Sequence, residues 1–205
     1  MIAIADYGVG NLFSLRSSFE YIGADIIVTD KAEDLRAADK IILPGVGAFA
    51  DAAEKLRNSG LGDVICEEVK KGKPLLGICL GMQMLFEKSY EYGEHEGLGL
   101  IKGSVKPMLG VIPEKLKIPH IGWNALHFPK GKEKNSIFKY INENDCVYFV
   151  HSYFGTDCDD SVIATAEYGK ELTAAVADGN IYGMQFHPEK SGKGGMNILR
   201  AFCEI

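Results

Sequence analysis

A cysteine flanked by two glycines, directly after an apolar run, is the feature that most constrains this chain. Residues 77–81 are Gly-Ile-Cys-Leu-Gly, and they follow the apolar residues 74–76. This spacing is typical of a sharp turn from a strand into a helix, where glycines remove Cβ atoms that would clash. The first helical turn then directs backbone N–H groups at the sulfur, which favours a thiolate. We therefore predict a nucleophile at Cys79.

Composition and charge limit the class of protein. The chain has 205 residues, 46% of them hydrophobic, and a formal net charge of −6. A chain of this length buries roughly 70% of its unfolded surface, so we expect a single domain over residues 1–205. No segment is basic enough to bind phosphate backbones, and no apolar run approaches the roughly 20 residues of a membrane span. We expect neither a nucleic acid nor a membrane as partner.

The cysteines indicate a reducing compartment. There are five of them, an odd number, and no Cys-x-x-Cys pair occurs, which argues against a disulfide framework and a zinc site. Residues 1–6 lack the basic segment of a signal peptide and are typical of a buried strand. We therefore expect a cytoplasmic protein without metal or cofactor, in which every cysteine except Cys79 is structural.

Apolar runs alternate with helical patterns through the first half of the chain. The predicted strands cover residues 1–5, 25–28, 40–43 and 74–78. The predicted helices cover residues 12–22, 49–58, 61–71 and 80–88. Continuous apolar strands between helices indicate an α/β fold with a mostly parallel sheet and helices on both faces.

The second half is predicted to be mostly antiparallel. Its predicted strands cover residues 98–101, 105–108, 117–121, 125–128, 147–150, 162–166, 173–177 and 181–186. A last helix is predicted over residues 194–202. The simplest interpretation is an antiparallel strand extension inserted into or beside the α/β core.

A second constellation, Gln-Phe-His-Pro-Glu, occupies residues 185–189. Pro188 ends the predicted strand, so His187 lies at the C-terminal edge of the sheet, where ligands bind in open α/β folds. Glu189 can hold one ring nitrogen of His187 and leave the other to face the sulfur. No other histidine has an acid two residues further on. Cys79, a histidine base and an orienting acid are the parts of covalent acyl transfer.

A glycine-rich turn, Leu-Pro-Gly-Val-Gly-Ala-Phe, covers residues 43–49 between a predicted strand and helix. Its spacing matches neither a P-loop nor a dinucleotide fingerprint. It is either a plain tight turn or one side of an oxyanion hole, in which the N–H of Val46 or Gly47 joins that of Leu80. The turn at residues 6–11 either binds an anion or caps the next helix through its asparagine.

The motifs around Cys79 and His187 resemble those of the class I (triad) glutamine amidotransferases, and their order along the chain is the expected one. Five further segments are similar to the glutaminase subunits of imidazole glycerol phosphate synthase: residues 6–12, 43–49, 119–124, 149–153 and 187–191. Ile121 departs from the methionine that is more usual there, a change that preserves volume. The resemblance implies the flavodoxin-like fold of that family.

The resemblance also implies a chemistry. Cys79, His187 and Glu189 would form a triad that hydrolyses glutamine to glutamate and ammonia through a thioester. The oxyanion donors implied are Val46, Gly47 and Leu80. The implied glutamine contacts are Gly45, Gln83, Ser152 and Tyr153.

A partner is implied as well. Related subunits pass ammonia through an internal channel to a (β/α)₈-barrel cyclase, which converts a formimino aminoimidazole carboxamide ribotide (PRFAR) to imidazole glycerol phosphate and AICAR in histidine biosynthesis. The implied docking residues are Pro119, His120, Trp123 and Asn124. Tryptophan is enriched in interface centres, and the alternative is ordinary core packing of Trp123.

Three other functions stay open at this point. One is the glutaminase of another class I amidotransferase, such as that of pyridoxal phosphate synthesis. The others are a cysteine hydrolase of related fold and a binding subunit that has kept the fold without catalysis. Residues 135–144 match no motif.

Overall fold

A computed structural model describes residues 1–205, which form six α-helices and thirteen β-strands. The helices are α1 Leu12–Tyr21, α2 Ala32–Ala37, α3 Phe49–Asn58, α4 Leu61–Lys70, α5 Leu80–Leu85 and α6 Gly192–Cys203. The strands are β1 Ile2–Ala5, β2 Ile26–Thr29, β3 Lys40–Leu43, β4 Leu75–Ile78, β5 Phe86–Ser89, β6 His95–Glu96, β7 Ile101–Pro107, β8 His120–Ala125, β9 Cys146–His151, β10 Tyr153–Thr156, β11 Val162–Glu167, β12 Glu171–Asp178 and β13 Ile181–Met184.

Seven strands form the central sheet in the order β11-β12-β13-β4-β3-β1-β2. The strands from β13 to β2 are parallel, and β12 and β11 extend the sheet with antiparallel pairing. The predicted α/β class is therefore confirmed. Because parallel strands end at the same edge, the segments that follow β3, β4 and β13 meet there.

Helices cover both faces of this sheet. Leu15 and Phe19 of α1 and Phe202 of α6 belong to the apolar cluster on one face. Phe49 of α3 belongs to the cluster on the other face, together with side chains of α2, α4 and α5. All four residues of strand β1 are buried between these layers. The strand is apolar throughout, because both of its faces are covered by helices.

Two smaller sheets complete the fold. Strands β10, β7, β5 and β6 form one of them, in that order, and β8 pairs with β9 to form the other. His120 lies opposite His151 in the β8–β9 pair, so the start of β8 is brought to the end of β9. None of the helices has the length and apolar character needed to cross a membrane.

Several predicted elements are confirmed and others are wrong. The helix over 49–58 and the strand over 40–43 have the predicted bounds. The helix predicted over 80–88 ends at Leu85, because Phe86 pairs with Ile101 of β7 and starts a strand. Helix α2 was not predicted, since six residues are too short for a clear period.

The strand boundaries of the second half also differ. The strand predicted over 98–101 is absent except for Ile101, which begins β7. The strand predicted over 117–121 begins only at His120, since Pro119 has no N–H to donate to a ladder. Asn11 caps α1 by accepting a hydrogen bond from the Ser14 N–H at 3.3 Å.

Candidate active site

The turn between β4 and α5 holds Cys79 in an uncommon conformation. Its φ of 55° and ψ of −112° are strained for any residue but glycine. A Cβ at Gly77 would lie 2.7 Å from the Gly81 carbonyl oxygen, and one at Gly81 would lie 1.9 Å from that of Leu43. Both glycines are therefore required by close backbone packing, which fixes the direction in which the sulfur points.

The chain beyond β13 supplies the second group. His187 is 2% exposed, and its backbone N–H donates to the Tyr148 carbonyl of β9 at 2.9 Å. A short turn over Pro188–Lys190 brings the Glu189 carboxylate back to the ring, with Oε1 2.7 Å from Nδ1. Because Nδ1 donates to this carboxylate, the other ring nitrogen is free to face the sulfur.

The environment of His187 favours the imidazolium. Burial lowers its pKa, but hydrogen bonds to Cys79 and Glu189 and the negative charges of both raise it, for a net value of about 9. The ring is therefore protonated at neutral pH and presents a positive charge to the sulfur. A cationic histidine beside a cysteine is the arrangement that activates a cysteine nucleophile.

Cys79 and His187 open into the same cavity, of about 270 Å³. It is lined by Val46, Gly47, Cys79, Leu80, Gln83, Glu91, Pro119, Val150, His151, Ser152, Tyr153 and His187. The three predicted oxyanion residues and three of the four predicted glutamine contacts are among them. Gly45 lies behind the wall instead, where a Cβ would come within 2.7 Å of the Gly81 nitrogen.

Backbone donors without a protein partner line the cavity that contains the Cys79 sulfur. The N–H groups of Val46, Gly47 and Leu80 donate to no protein group. Val46 is 41% exposed, and Gly47 has a φ of +94° with open space around it. Donors left free beside a nucleophile are what an oxyanion needs, and a left-handed glycine makes reorientation of this peptide inexpensive.

Comparison with known proteins identifies the family. A model of the class-I glutamine amidotransferases matches residues 3–205. The chain belongs to this family. It is 48% identical over 206 residues to the imidazole glycerol phosphate synthase subunit HisH of Oceanobacillus iheyensis, an alignment that covers 100% of this chain and 99% of that relative. It is 46% identical over 201 residues to the HisH subunit of Aquifex aeolicus, over 97% of this chain and 94% of the relative.

Solved structures share the fold. A glutamine amidotransferase crystal structure matches with a TM-score of 0.76 at 19% identity, over 99% of this chain and 97% of that one. The structure of PurLQS from Thermotoga maritima matches with a TM-score of 0.72 at 21% identity, over 99% and 97% of the two chains. These likenesses confirm the predicted amidotransferase fold.

Among the residues predicted to contact glutamine, fewer polar atoms are free to bind a ligand than expected. The amide nitrogen of Gln83 donates to the Tyr153 carbonyl at 3.1 Å and to Oε1 of Gln185 at 3.0 Å, so only its own oxygen is left for a ligand. The Ser152 carbonyl accepts the Met108 N–H at 2.9 Å, whereas the Ser152 N–H donates to no protein group.

Three residues of the cavity wall had no role assigned to them from the sequence, although two of them, residues 150 and 151, lie in the 149–153 segment. Glu91, half-buried, accepts the Phe49 N–H through Oε2, but in the sequence it is one of several acids in a polar segment. Val150 and His151 lie at the end of β9, and His151 Nδ1 donates to the Tyr153 carbonyl at 2.9 Å. Burial lowers the pKa of His151 to about 4, so at neutral pH it is uncharged and poorly suited to replace His187.

The segment predicted to dock a partner is partly exposed. Trp123 is 55% exposed and Ile121 59%, so the alternative of core packing for the tryptophan is wrong. His120, in contrast, is buried, with its ring stacked on that of Tyr168 at a centroid distance of 4.0 Å. The His120 side chain therefore contributes no exposed surface to this segment, whose exposed side chains are those of Pro119, Ile121 and Trp123.

Proposed function

We propose that this chain is the glutaminase subunit of an imidazole glycerol phosphate synthase. It hydrolyses L-glutamine to glutamate and ammonia, and a barrel cyclase subunit uses the ammonia to convert PRFAR to imidazole glycerol phosphate and AICAR. The observation that carries the proposal is the cavity where Cys79 meets the buried His187–Glu189 pair. Full-length similarity to HisH subunits supports the choice of partner and pathway. The proposed complex is a cytoplasmic heterodimer.

The first half of the reaction forms a thioester. The Cys79 thiolate attacks the side-chain carboxamide carbon, a C–S bond forms, and the carbonyl electron pair moves to the oxygen. The oxyanion accepts hydrogen bonds from Leu80 and from Val46 or Gly47, each worth roughly 3 kcal/mol of transition-state stabilisation. The His187 imidazolium then gives its proton to the amide nitrogen as the C–N bond breaks and ammonia leaves.

The second half hydrolyses the thioester. Neutral His187 takes a proton from a water molecule, whose oxygen attacks the thioester carbon. The C–S bond then breaks with its electron pair going to sulfur, glutamate leaves, and the thiolate and the imidazolium are restored. Glu189 stabilises the imidazolium at both stages, in agreement with the pKa of about 9 for His187.

The cavity wall matches the other groups of free glutamine. The Glu91 carboxylate and the free oxygen of Gln83 are acceptors for the α-ammonium group. The free N–H of Ser152 is a donor for the α-carboxylate. Opposite polarity on two parts of the wall would orient the substrate with its carboxamide toward Cys79.

Activity without a partner would waste glutamine. We therefore expect the turn at residues 43–49, which supplies Val46 and Gly47, to adopt its active conformation only when the partner is bound. Pro44 and Gly45 are buried, whereas Val46 and Gly47 are exposed. The peptide between Val46 and Gly47 is therefore the one that can turn. Docking of the nucleotide-loaded cyclase against the exposed Trp123 and against Pro119, which lines the same cavity, would set its N–H toward the oxyanion.

The first experiment is ammonia release from glutamine by the purified chain alone, with a barrel cyclase, and with the cyclase plus PRFAR. We expect stimulation by the loaded barrel and loss of activity in Cys79→Ala. Cys146→Ala, at an exposed cysteine that does not line this cavity, is the matched control and should behave like the parent.

The outcomes separate the parts of the proposal. Equal rates in all three conditions would contradict the gating and leave the glutaminase. No activity with any cyclase would contradict the partner and direct the search to other class I amidotransferase complexes. Activity that survives Cys79→Ala would overturn the chemistry itself.

A further inference from the structure

A buried amide lies against the nucleophile and has no role in the reaction described above. Gln185 follows directly after β13 and is 0% exposed. Its backbone N–H donates to the Ala174 carbonyl at 2.9 Å, which fixes the main chain. Its side-chain nitrogen lies 3.9 Å from the Cys79 sulfur, within the range of a long N–H···S hydrogen bond.

The orientation of this amide is determined by a backbone carbonyl that cannot be reversed. The Tyr153 carbonyl only accepts, so the Gln83 atom 3.1 Å from it must be the nitrogen. The second hydrogen of that nitrogen points to Gln185 at 3.0 Å, so the Gln185 atom there must be the oxygen. The Gln185 atom that faces the sulfur is therefore the nitrogen, a pure donor.

The sulfur has different neighbours for its two protonation states. A thiol at Cys79 can donate to the Val150 carbonyl, whose oxygen lies 4.0 Å from the sulfur. A thiolate cannot donate, and that carbonyl then repels it. Among the side chains around the sulfur, the Gln185 N–H and the His187 imidazolium favour the thiolate, and hydrogen bonds to a charged acceptor are the stronger kind.

We propose that Gln185 is a further catalytic residue, whose side-chain N–H stabilises the Cys79 thiolate before glutamine binds. Gln83 acts through it as a positioning residue, because it holds the Gln185 oxygen and so presents the nitrogen to the sulfur. This inference rests on the proposed role of Cys79 as nucleophile. It does not depend on the identity of the cyclase or on the pathway.

The test is the rate of Cys79 alkylation by iodoacetamide across pH, followed by mass spectrometry of the Cys79 peptide so that the other cysteines do not interfere. Gln185→Met keeps the length of the side chain and removes the donor. We expect its alkylation midpoint to rise by about one pH unit, which slows the reaction about tenfold on the acid side of the midpoint. Gln185→Glu puts a carboxylate beside the sulfur and should raise the midpoint further.

A merely structural role gives a different result. It would lower the thermal unfolding midpoint of both variants and leave the alkylation midpoint where the parent has it, and that outcome would overturn the proposal. If Gln185→Met does not fold, Gln185→Glu decides alone. Alkylation requires neither glutamine nor a cyclase. A failure of the proposed glutaminase function would therefore not change the result of this test.

Discussion

A buried hydroxyl supports the backbone next to the oxyanion donors. The Tyr7 hydroxyl donates to the Pro44 carbonyl at 2.6 Å, and burial first, then the charge of Cys79, raises its pKa, so it stays a donor. We expect Tyr7→Phe to cost about 1–3 kcal/mol in unfolding free energy, because the buried carbonyl loses its partner. It should also lower kcat more than it raises KM. The matched control is Tyr182→Phe, a buried tyrosine whose pKa is raised by burial alone.

The pairing of His187 with Cys79 and Glu189 makes stability depend on pH. The folded pKa of His187 is about 9, against an unfolded value of 6.5, so the imidazolium stabilises the fold fully below about pH 6.5 and loses this effect up to about pH 9. Glu189→Gln removes the share contributed by the carboxylate. Denaturant unfolding should therefore show a large difference between parent and variant at about pH 6 that shrinks toward about pH 9.5. A difference that grows with pH would contradict this assignment.

We expect Glu91 to bind the α-ammonium group of glutamine. Glu91→Gln keeps an acceptor for the Phe49 N–H but removes the charge. We expect KM for glutamine to rise about tenfold with little change in kcat, since a hydrogen bond to a charged group is worth roughly 1.5–3 kcal/mol and the neutral one that the variant keeps about 1 kcal/mol. Glu94→Gln, which breaks only the exposed ion pair with Lys88, is the control and should leave KM as it is.

Residue by residue, spacing was informative only where backbone geometry demands a particular residue. The glycines around Cys79 and the proline after His187 revealed the positions of both side chains. Glu91 and His151 carry no such mark, because an acid in a polar loop and a histidine at a strand end are compatible with many backbones. Only the folded chain brings them to the cavity.

At the scale of elements, the junction of β4 and α5 depends on glycines that allow no side chain. A methyl group at Gly81 would lie 1.9 Å from the Leu43 carbonyl oxygen, so Gly81→Ala must push β3 away from the turn. We expect it to cost about 3 kcal/mol or more in unfolding free energy and to abolish activity.

The matched control for this prediction is another helical glycine. A Cβ at Gly194 in α6 would have no contact closer than 3.9 Å. Gly194→Ala should therefore leave stability unchanged or increase it by up to about 1 kcal/mol, through helix propensity. Equal effects of the two substitutions in urea unfolding would show that steric exclusion at the turn between β4 and α5 does not cause the loss of stability.

At the scale of the whole molecule, an exposed apolar surface borders the cavity. Pro119 lines the cavity, and Ile121 and Trp123 on β8 are more than half exposed, with Trp123 edge-on to Tyr148. We expect Trp123→Ala to weaken binding to the cyclase at least tenfold in titration calorimetry, because buried tryptophans dominate interfaces. Leu109→Ala, at an exposed apolar residue of another loop, should leave affinity unchanged. Unchanged affinity in Trp123→Ala would place the interface elsewhere.

The sequence by itself determined the α/β class, the sharp strand-to-helix turn at Cys79 and the strand-end position of His187. Each depends on local rules: apolar periodicity, glycines where Cβ atoms do not fit, and a proline that ends a strand. Only the tertiary structure decided that α5 stops at Leu85, that Trp123 is exposed, and which donors stay free in the cavity. These outcomes depend on pairing between segments distant in the chain, and whether a polar atom is free depends on every neighbour that could bind it.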